Sequence, residues 1–338
     1  MKYDVSILVP VYNVSDFIER CAISLFEQSF EDIEYIFVND CTPDDSIEVL
    51  EGVLQRYPNR KERVKIIHHQ HNKGLAGARN TAVSSATGDY VLHIDSDDYV
   101  EINMVELLYN KAIEDNADVV VCDFISEWET SKRVEKQVYS TSPREFINQM
   151  LSVEAFPSVW NKLFRRELYT QHNIAAIEGV NLGEDFVTTP RLVYFANKIS
   201  KVEKTLYHYM QTNANSYTRN HSKKNIDNLI CVLQELTQFF EGKQDYSSYQ
   251  DALLQGKLRK KMDMLFFADE DYVPYLMSLF PETGAIKDRG FLSKRDKISV
   301  FLLDRKWMKV FWVYRIFYKW AYKVKFFIKN KLNVRLVS

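Results

Sequence analysis

Residues 4–11 read DVSILVPV, a short apolar run closed by Pro10 and Asn13. So short and continuous a run fits a strand buried on both faces, as in a parallel sheet. Outward from it, Ser15 is placed to cap a helix that turns Ile18, Ala22, Leu25 and Phe26 to one side. IEYIFV at 33–38 is a second strand, closed by Asn39 and Asp40, and the turn CTPDD leads to a helix with Ile47, Leu50, Val53 and Leu54 inward. Residues 63–69 give a third strand, NKGLAGARN opens a third helix, and YVLHID at 90–95 is a fourth strand followed by SDD. A helix near 102–115 and a strand at 118–124 complete the series.

This alternation predicts an α/β sandwich around a mostly parallel sheet. Ligands of such sheets bind beyond the carboxyl ends of the strands. Asn13, Asp40 and the cluster Asp95–Asp98 stand at three such ends. After residue 126 the alternation stops. Residues 127–157 are polar and irregular, and FPSVWNKLFRRELY, GEDFVTTPRLVYFANK and KVEKTLYHYM predict a mixed α+β continuation. Residues 223–281 predict helices, with Leu229, Val232, Leu233, Leu236 and Phe240 at helical spacing.

Asp95, Ser96, Asp97 and Asp98 put three carboxylates in four residues. They repel one another unless a cation or hydrogen-bond donors offset them. Hard oxygen ligands suit Mg²⁺ or Mn²⁺, held by one or two carboxylates plus substrate phosphates. The alternative is an acidic turn in which Asp98 caps the next helix. Asp40 is placed either to accept from a nucleobase N–H or to bond its own turn backbone, and Asp44 to cap the helix that follows. Lys73 and Arg79, with two glycines at a helix start, favour phosphate. GLAGAR matches neither common Gly-rich phosphate loop, however, and a solvated Lys73 is the plainer reading. Glu184 and Asp185, at another helix start, offer a general base or a capping pair. Trp160-Asn161-Lys162 reads as strand or turn, with Trp160 either core or a platform for a sugar.

With 46% apolar and 27% charged residues among 338, global disorder is excluded. The net charge of −2 hides a division: from Arg305 onward there are ten Lys or Arg and no acid, which leaves −12 on residues 1–304. Cysteines at 21, 41, 122 and 231 form no CxxC and no zinc spacing. Asp4 and Pro10 break the N-terminal run, so no signal peptide and a reduced, cytosolic location are expected. No stretch is long and apolar enough for a spanning helix. In the tail, Arg305, Lys309, Arg315, Lys319 and Lys323 fall within an arc of roughly 120°. Trp307, Val310, Phe311, Tyr314, Phe317, Tyr318 and Ala321 fall opposite, while Met308, Trp312, Ile316 and Trp320 interrupt the basic side. An interfacial helix over 305–330 on anionic lipid is expected, at the inner face of the plasma membrane. The alternative is a helix packed on the acidic body. No fold for nucleic acid accompanies the charge.

Six stretches in order, VSILVPVYN at 5–13, VNDCTPDDS at 38–46, NKGLAGARNTA at 72–82, GDYVLHIDSDD at 88–98, VWNKLFRRELY at 159–169 and LGEDF at 182–186, resemble the inverting glycosyltransferase family 2 with its GT-A fold. The resemblance covers about residues 4–215 and is to non-processive enzymes that build bacterial surface polysaccharides; the Q/RxxRW motif of processive synthases is missing. It implies transfer of a sugar from a nucleotide diphosphate, usually UDP, to a hydroxyl of a glycan or lipid-linked glycan. It implies that Pro10, Tyr12 and Asn13 contact the nucleotide, that Asp40 reads the base, and that Lys73 and Arg79 line the pocket. Asp95, with Ser96, matches the ribose and phosphate side, Asp97 the Mn²⁺ or Mg²⁺ ligand, and Asp185 the base, with Glu184, Trp160 and Lys162 in support. Cys41 stands where many members carry Gly. Expected domains are a catalytic 1–215, with a nucleotide half 1–126 and an acceptor half 127–215, then a helical 216–294 and the tail 295–338. Arg219 and His221 are candidates to close over the diphosphate. A nucleotidyltransferase and a silent sugar-binding scaffold are the competing classes.

Overall fold

The computed structural model describes residues 3–213, 222–286 and 289–334. Arg219, His221 and the side chain of Lys323 lie outside that description. The first part of the chain alternates as its sequence predicts: β1 (Val5–Val11), α1 (Ile18–Phe26), β2 (Ile33–Asn39), α2 (Ser46–Leu54), β3 (Val64–His68), α3 (Gly74–Ser85), β4 (Tyr90–His93), β5 (Tyr99–Val100), α4 (Met104–Asp115) and β6 (Val119–Trp128). The mixed continuation is β7 (Ser131–Glu135), α5 (Pro143–Leu151), β8 (Lys162–Arg165), α6 (Glu167–Thr170), α7 (Glu184–Tyr194) and β9 (Ile199–Met210). Helices follow: α8 (Lys223–Glu241), α9 (Gln250–Phe267), α10 (Val273–Ser278), α11 (Lys294–Asp304) and α12 (Met308–Val334).

Among the described residues the strands form one sheet in the order β3-β2-β1-β4-β8-β6-β9-β5, with β7 on β6. β1 pairs in parallel with β2 and β4, β2 with β3, and β6 with β9. Every residue of β1 is buried, as its unbroken apolar run requires. β8, which follows β6 and β7 in the chain, enters antiparallel between β4 and β6. α1 turns Ile18, Cys21, Ala22, Leu25 and Phe26 into the core, where Phe26 meets Tyr35 and Phe37 edge to face.

Two local expectations give way to tertiary partners. Ser15 does not cap α1; its N–H donates to Asp44 Oδ2 at 2.8 Å, and the helix starts after Phe17 without a side-chain cap. Asp98 does not cap α4, which starts after Asn103. Asp98 is fully buried and accepts from the Tyr207 hydroxyl and the Met210 N–H, each at 2.6 Å. A buried carboxylate needs donors, and β9 supplies them.

The chain divides into two compact units, Met1–Asn220 with Lys224–Leu253, and His221–Lys223 with Leu254–Ser338. The second unit corrects the basic arc expected of the tail. Arg315 is buried on α12 and donates to the carbonyls of Phe266 and Ala268. These belong to the end of α9, where unpaired carbonyls attract a cation. The buried Phe311 lies one turn earlier. Val310, Val313, Ile316, Phe317 and Trp320 therefore face outward, each at least half exposed. Among the described residues no helix is long and apolar enough to cross a membrane.

Candidate active site

The carboxyl ends of β1, β2 and β4 hold the first group of polar residues. Tyr12 is exposed just past β1, and Asn13 takes a positive φ of 54°. The loop is tied to the next one: Asn13 N–H donates to Thr42 Oγ1 at 2.8 Å and Val14 N–H to Ser46 Oγ at 3.1 Å. Asp44 accepts from Ser46 as well as from Ser15, so it braces two loops, and Asp45 occupies the cap position of α2. Cys41 has φ 56°, the left-handed conformation that glycine adopts freely.

Asp40 is buried at the end of β2. Its Oδ1 accepts from Lys73 N–H at 2.7 Å and contacts His69 Nδ1 at 2.7 Å, while Oδ2 accepts from Gly74 N–H at 2.7 Å. Asp40 thus bonds the start of α3 rather than its own turn. Lys73 is exposed and leaves its ammonium in solvent. Gly74 has φ +76°, and the Asn181 side chain occupies the place a Cβ would take, so both conformation and space demand glycine.

Arg79, one turn into α3, is buried and does not face solvent as a phosphate ligand would. Its Nη2 lies 2.9 Å from Asp95 Oδ1, 3.4 Å from Glu184 Oε1 and 3.7 Å from Asp185 Oδ1. The residues at the end of β4 and at the start of α7 therefore meet on one guanidinium. Burial pushes the Glu184 carboxyl well above its usual range, with the charge of Asp185 adding to it. Burial also raises Asp185, while the charge of Arg79 opposes the rise.

Behind Asp185 lies a small cavity, lined among others by Arg79, His93, Tyr169 and Thr188. Arg79 Nε, His93 Nδ1, Asp185 Oδ1 and Thr188 Oγ1 have no protein hydrogen-bond partner there, a setting suited to ordered water.

Asp97 stands apart from Arg79's ion pairs. Burial and the charge of Asp95 push its pKa up to about 6, and Asn213 Nδ2 donates to it at 2.9 Å. A carboxylate raised by the charge beside it fits a divalent cation. Among the described residues no group of three or more His, Cys, Asp or Glu converges as a metal site. Ser96 is buried beside them. Trp160 is core, stacked on Tyr207 at 4.4 Å and Tyr209 at 5.3 Å, so it offers no open face to a sugar. Lys162 is fully buried at the start of β8. Sequence patterning passes over Tyr207 and Asn213. Tyr207 also accepts from the Asp95 N–H at 3.2 Å. The only signal for it was the alternation in TLYHYM, which marks a strand and not its neighbour.

Residues 6–172 match the family described as Glycosyl transferase family 2. The chain is 36% identical over 221 residues to the uncharacterized glycosyltransferase EpsJ of Bacillus subtilis, covering 63% of this chain and 62% of that protein. It is 31% identical over 259 residues to the putative glycosyltransferase EpsH of the same organism, covering 74% of this chain and 72% of that one. The chain belongs to glycosyl transferase family 2. Its GT-A fold resembles that of S. aureus TarS 1–349, solved with UDP-GlcNAc, at TM-score 0.71 and 18% identity over 95% of this chain and 92% of that one. A mannosyltransferase of Pyrobaculum calidifontis, solved with GDP-Man and Mn²⁺, aligns at TM-score 0.54 and 16% identity over 94% of this chain and 86% of that one. Members of family 2 are sugar transferases, and Asp95, paired with Arg79, lies just past the end of β4, where open parallel sheets bind ligands.

Proposed function

We propose that the protein is an inverting glycosyltransferase moving a sugar from a nucleotide diphosphate, UDP in preference to GDP, to a hydroxyl of a glycan or lipid-linked glycan in surface polysaccharide synthesis. The observation that carries this is the meeting of Asp95 with Glu184 and Asp185 on the buried Arg79. The catalytic domain is 1–215. In it Pro10, Tyr12, Asn13, Asp40 and Lys73 serve the nucleotide, and Asp95 and Ser96 the ribose and phosphates. Asp97 would hold Mn²⁺ or Mg²⁺, which when bound offsets the charge of the departing diphosphate. Asp185 takes the proton of the acceptor hydroxyl as its oxygen bonds the anomeric carbon. The bond from that carbon to the diphosphate oxygen breaks on the opposite face, which inverts the centre. Glu184, whose carboxyl burial raises well above its usual range, stands beside the base.

A panel of UDP- and GDP-sugars, followed by nucleotide diphosphate release with Mn²⁺ and after EDTA, tests the reading. UDP-sugars are expected to be consumed, with a loss of at least about tenfold on chelation. Release of pyrophosphate would favour a nucleotidyltransferase, and donor binding without turnover a scaffold; either sinks the proposal.

The reading includes work at an anionic membrane surface, the inner leaflet of the plasma membrane. What supports it is the outward apolar stripe of α12, continued by Trp307 and Phe301, beside Arg305, Lys306 and Lys309 on an acid-free stretch. Apolar contact and cation–lipid attraction act together on such a face. Val313→Asp with Phe317→Asp in the full chain is expected to weaken co-sedimentation with phosphatidylglycerol liposomes at least about tenfold. Equal binding by this variant, or equal binding to uncharged liposomes, would refute it.

A further inference from the structure

The turn that follows β4 is closed twice. Its own backbone closes it first: the Asp98 N–H donates to the Asp95 carbonyl at 3.0 Å, which makes Ser96 and Asp97 the corner of a β-turn. A single hydroxyl from β9 then spans the same two residues. Tyr207 Oη accepts from the Asp95 N–H at 3.2 Å and donates to Asp98 Oδ2 at 2.6 Å. The other oxygen of Asp98 takes the Met210 N–H at 2.6 Å. The three carboxylates of the turn thereby part company. Asp95 goes to Arg79 at 2.9 Å, Asp98 to β9, and Asp97 to the amide of Asn213 at 2.9 Å.

Packing explains the ring of Tyr207 but not its hydroxyl. The ring is fully buried and stacked on Trp160. A phenylalanine would fill that place without bringing a polar atom inside. What the hydroxyl adds is one atom that accepts from an N–H and donates to a carboxylate at once. It ties the first residue of the turn to the last. Without it the Asp95 N–H and Asp98 Oδ2 both lose a partner, and Asp98 is fully buried, so a shift of the turn is the way to recover one. Asp95 and Asp97 ride on that turn.

We propose that Tyr207 is a positioning residue for the acid turn: its hydroxyl sets the spread of Asp95 and Asp97, and with it the affinity for a nucleotide diphosphate bound with its divalent cation. This deepens the reading of those two carboxylates as the phosphate and metal side and rests on it. Tyr207 acts through the turn, so its loss falls on donor binding and not on proton transfer.

The test is Tyr207→Phe in the full chain, with UDP as the probe, titrated by calorimetry with Mn²⁺ and again in EDTA. With Mn²⁺ the affinity for UDP is expected to fall about 10- to 100-fold, the usual cost of losing a group that orients a metal ligand. In EDTA, where Asp97 has no cation to hold, the loss should shrink to less than about threefold. The KM for a UDP-sugar should rise with the Mn²⁺ figure while kcat stays within about threefold. The Asp95 amide should exchange faster. Should Tyr207→Phe fail to fold, Asp98→Ala breaks the same link, removes the buried charge with it and carries the same readouts. Unchanged UDP affinity with Mn²⁺, an equal loss in EDTA, or unchanged Asp95 exchange overturns the proposal. Wild type that binds UDP no better with Mn²⁺ than in EDTA would instead sink the metal reading, and Asp95 exchange together with donor KM would still decide whether Tyr207 sets the turn.

Discussion

Asp185→Asn is expected to lower transfer by about 10²–10⁴-fold, the usual contribution of a positioned general base. Donor affinity should hold, because the amide keeps the shape and size of the carboxylate. The wild-type pH profile carries the same information. Burial raises the Asp185 pKa. The base works only when ionised, so turnover should fall as pH drops through a value above the ordinary carboxylate range. The Asn variant should lose that limb. Near-normal transfer by Asp185→Asn, measured as sugar appearing on acceptor, would remove Asp185 from the mechanism.

Arg79→Met is the second large effect, and it joins stability to catalysis. Asp95, Glu184 and Asp185 share the one guanidinium. Taking one partner from a buried ionic cluster costs about 3–5 kcal/mol, since the remaining charges stay desolvated and unpaired. The carboxyls would respond by holding their protons to higher pH. The folded state then binds more protons than the unfolded chain between the ordinary carboxylate range and the raised values, so stability falls as pH rises through that window. Urea unfolding should show a gap between wild type and variant that is wider at pH 8 than at pH 5, and turnover near neutrality should be lost with it. A gap independent of pH would mean that Arg79 does not neutralise these groups.

What the sequence reveals of this site follows from where its information is local. β1, β2 and β4 are legible because strands buried on both faces need unbroken apolar runs, and the residues just past them are legible as strand ends. Arg79 reads as a phosphate ligand because its neighbours in sequence are a glycine-rich helix start. Its actual partners include Glu184, 105 residues away, and no local pattern encodes that pairing. The caps expected of Ser15 and Asp98 fail for the same reason, since Ser15 meets Asp44 from another loop and Asp98 takes its donors from β9. In the tail, the helical angles are right, but they do not say which side packs. The end of α9 decides that by drawing Arg315 inward.

The placement of β8 bears on how such an enzyme can change. It follows β6 in the chain, yet it lies between β4 and β6 in the sheet. A fragment ending after β6 would leave both strands with open interior edges. The sheet therefore cannot be cut between β6 and β8 and exchanged like a cassette with a relative.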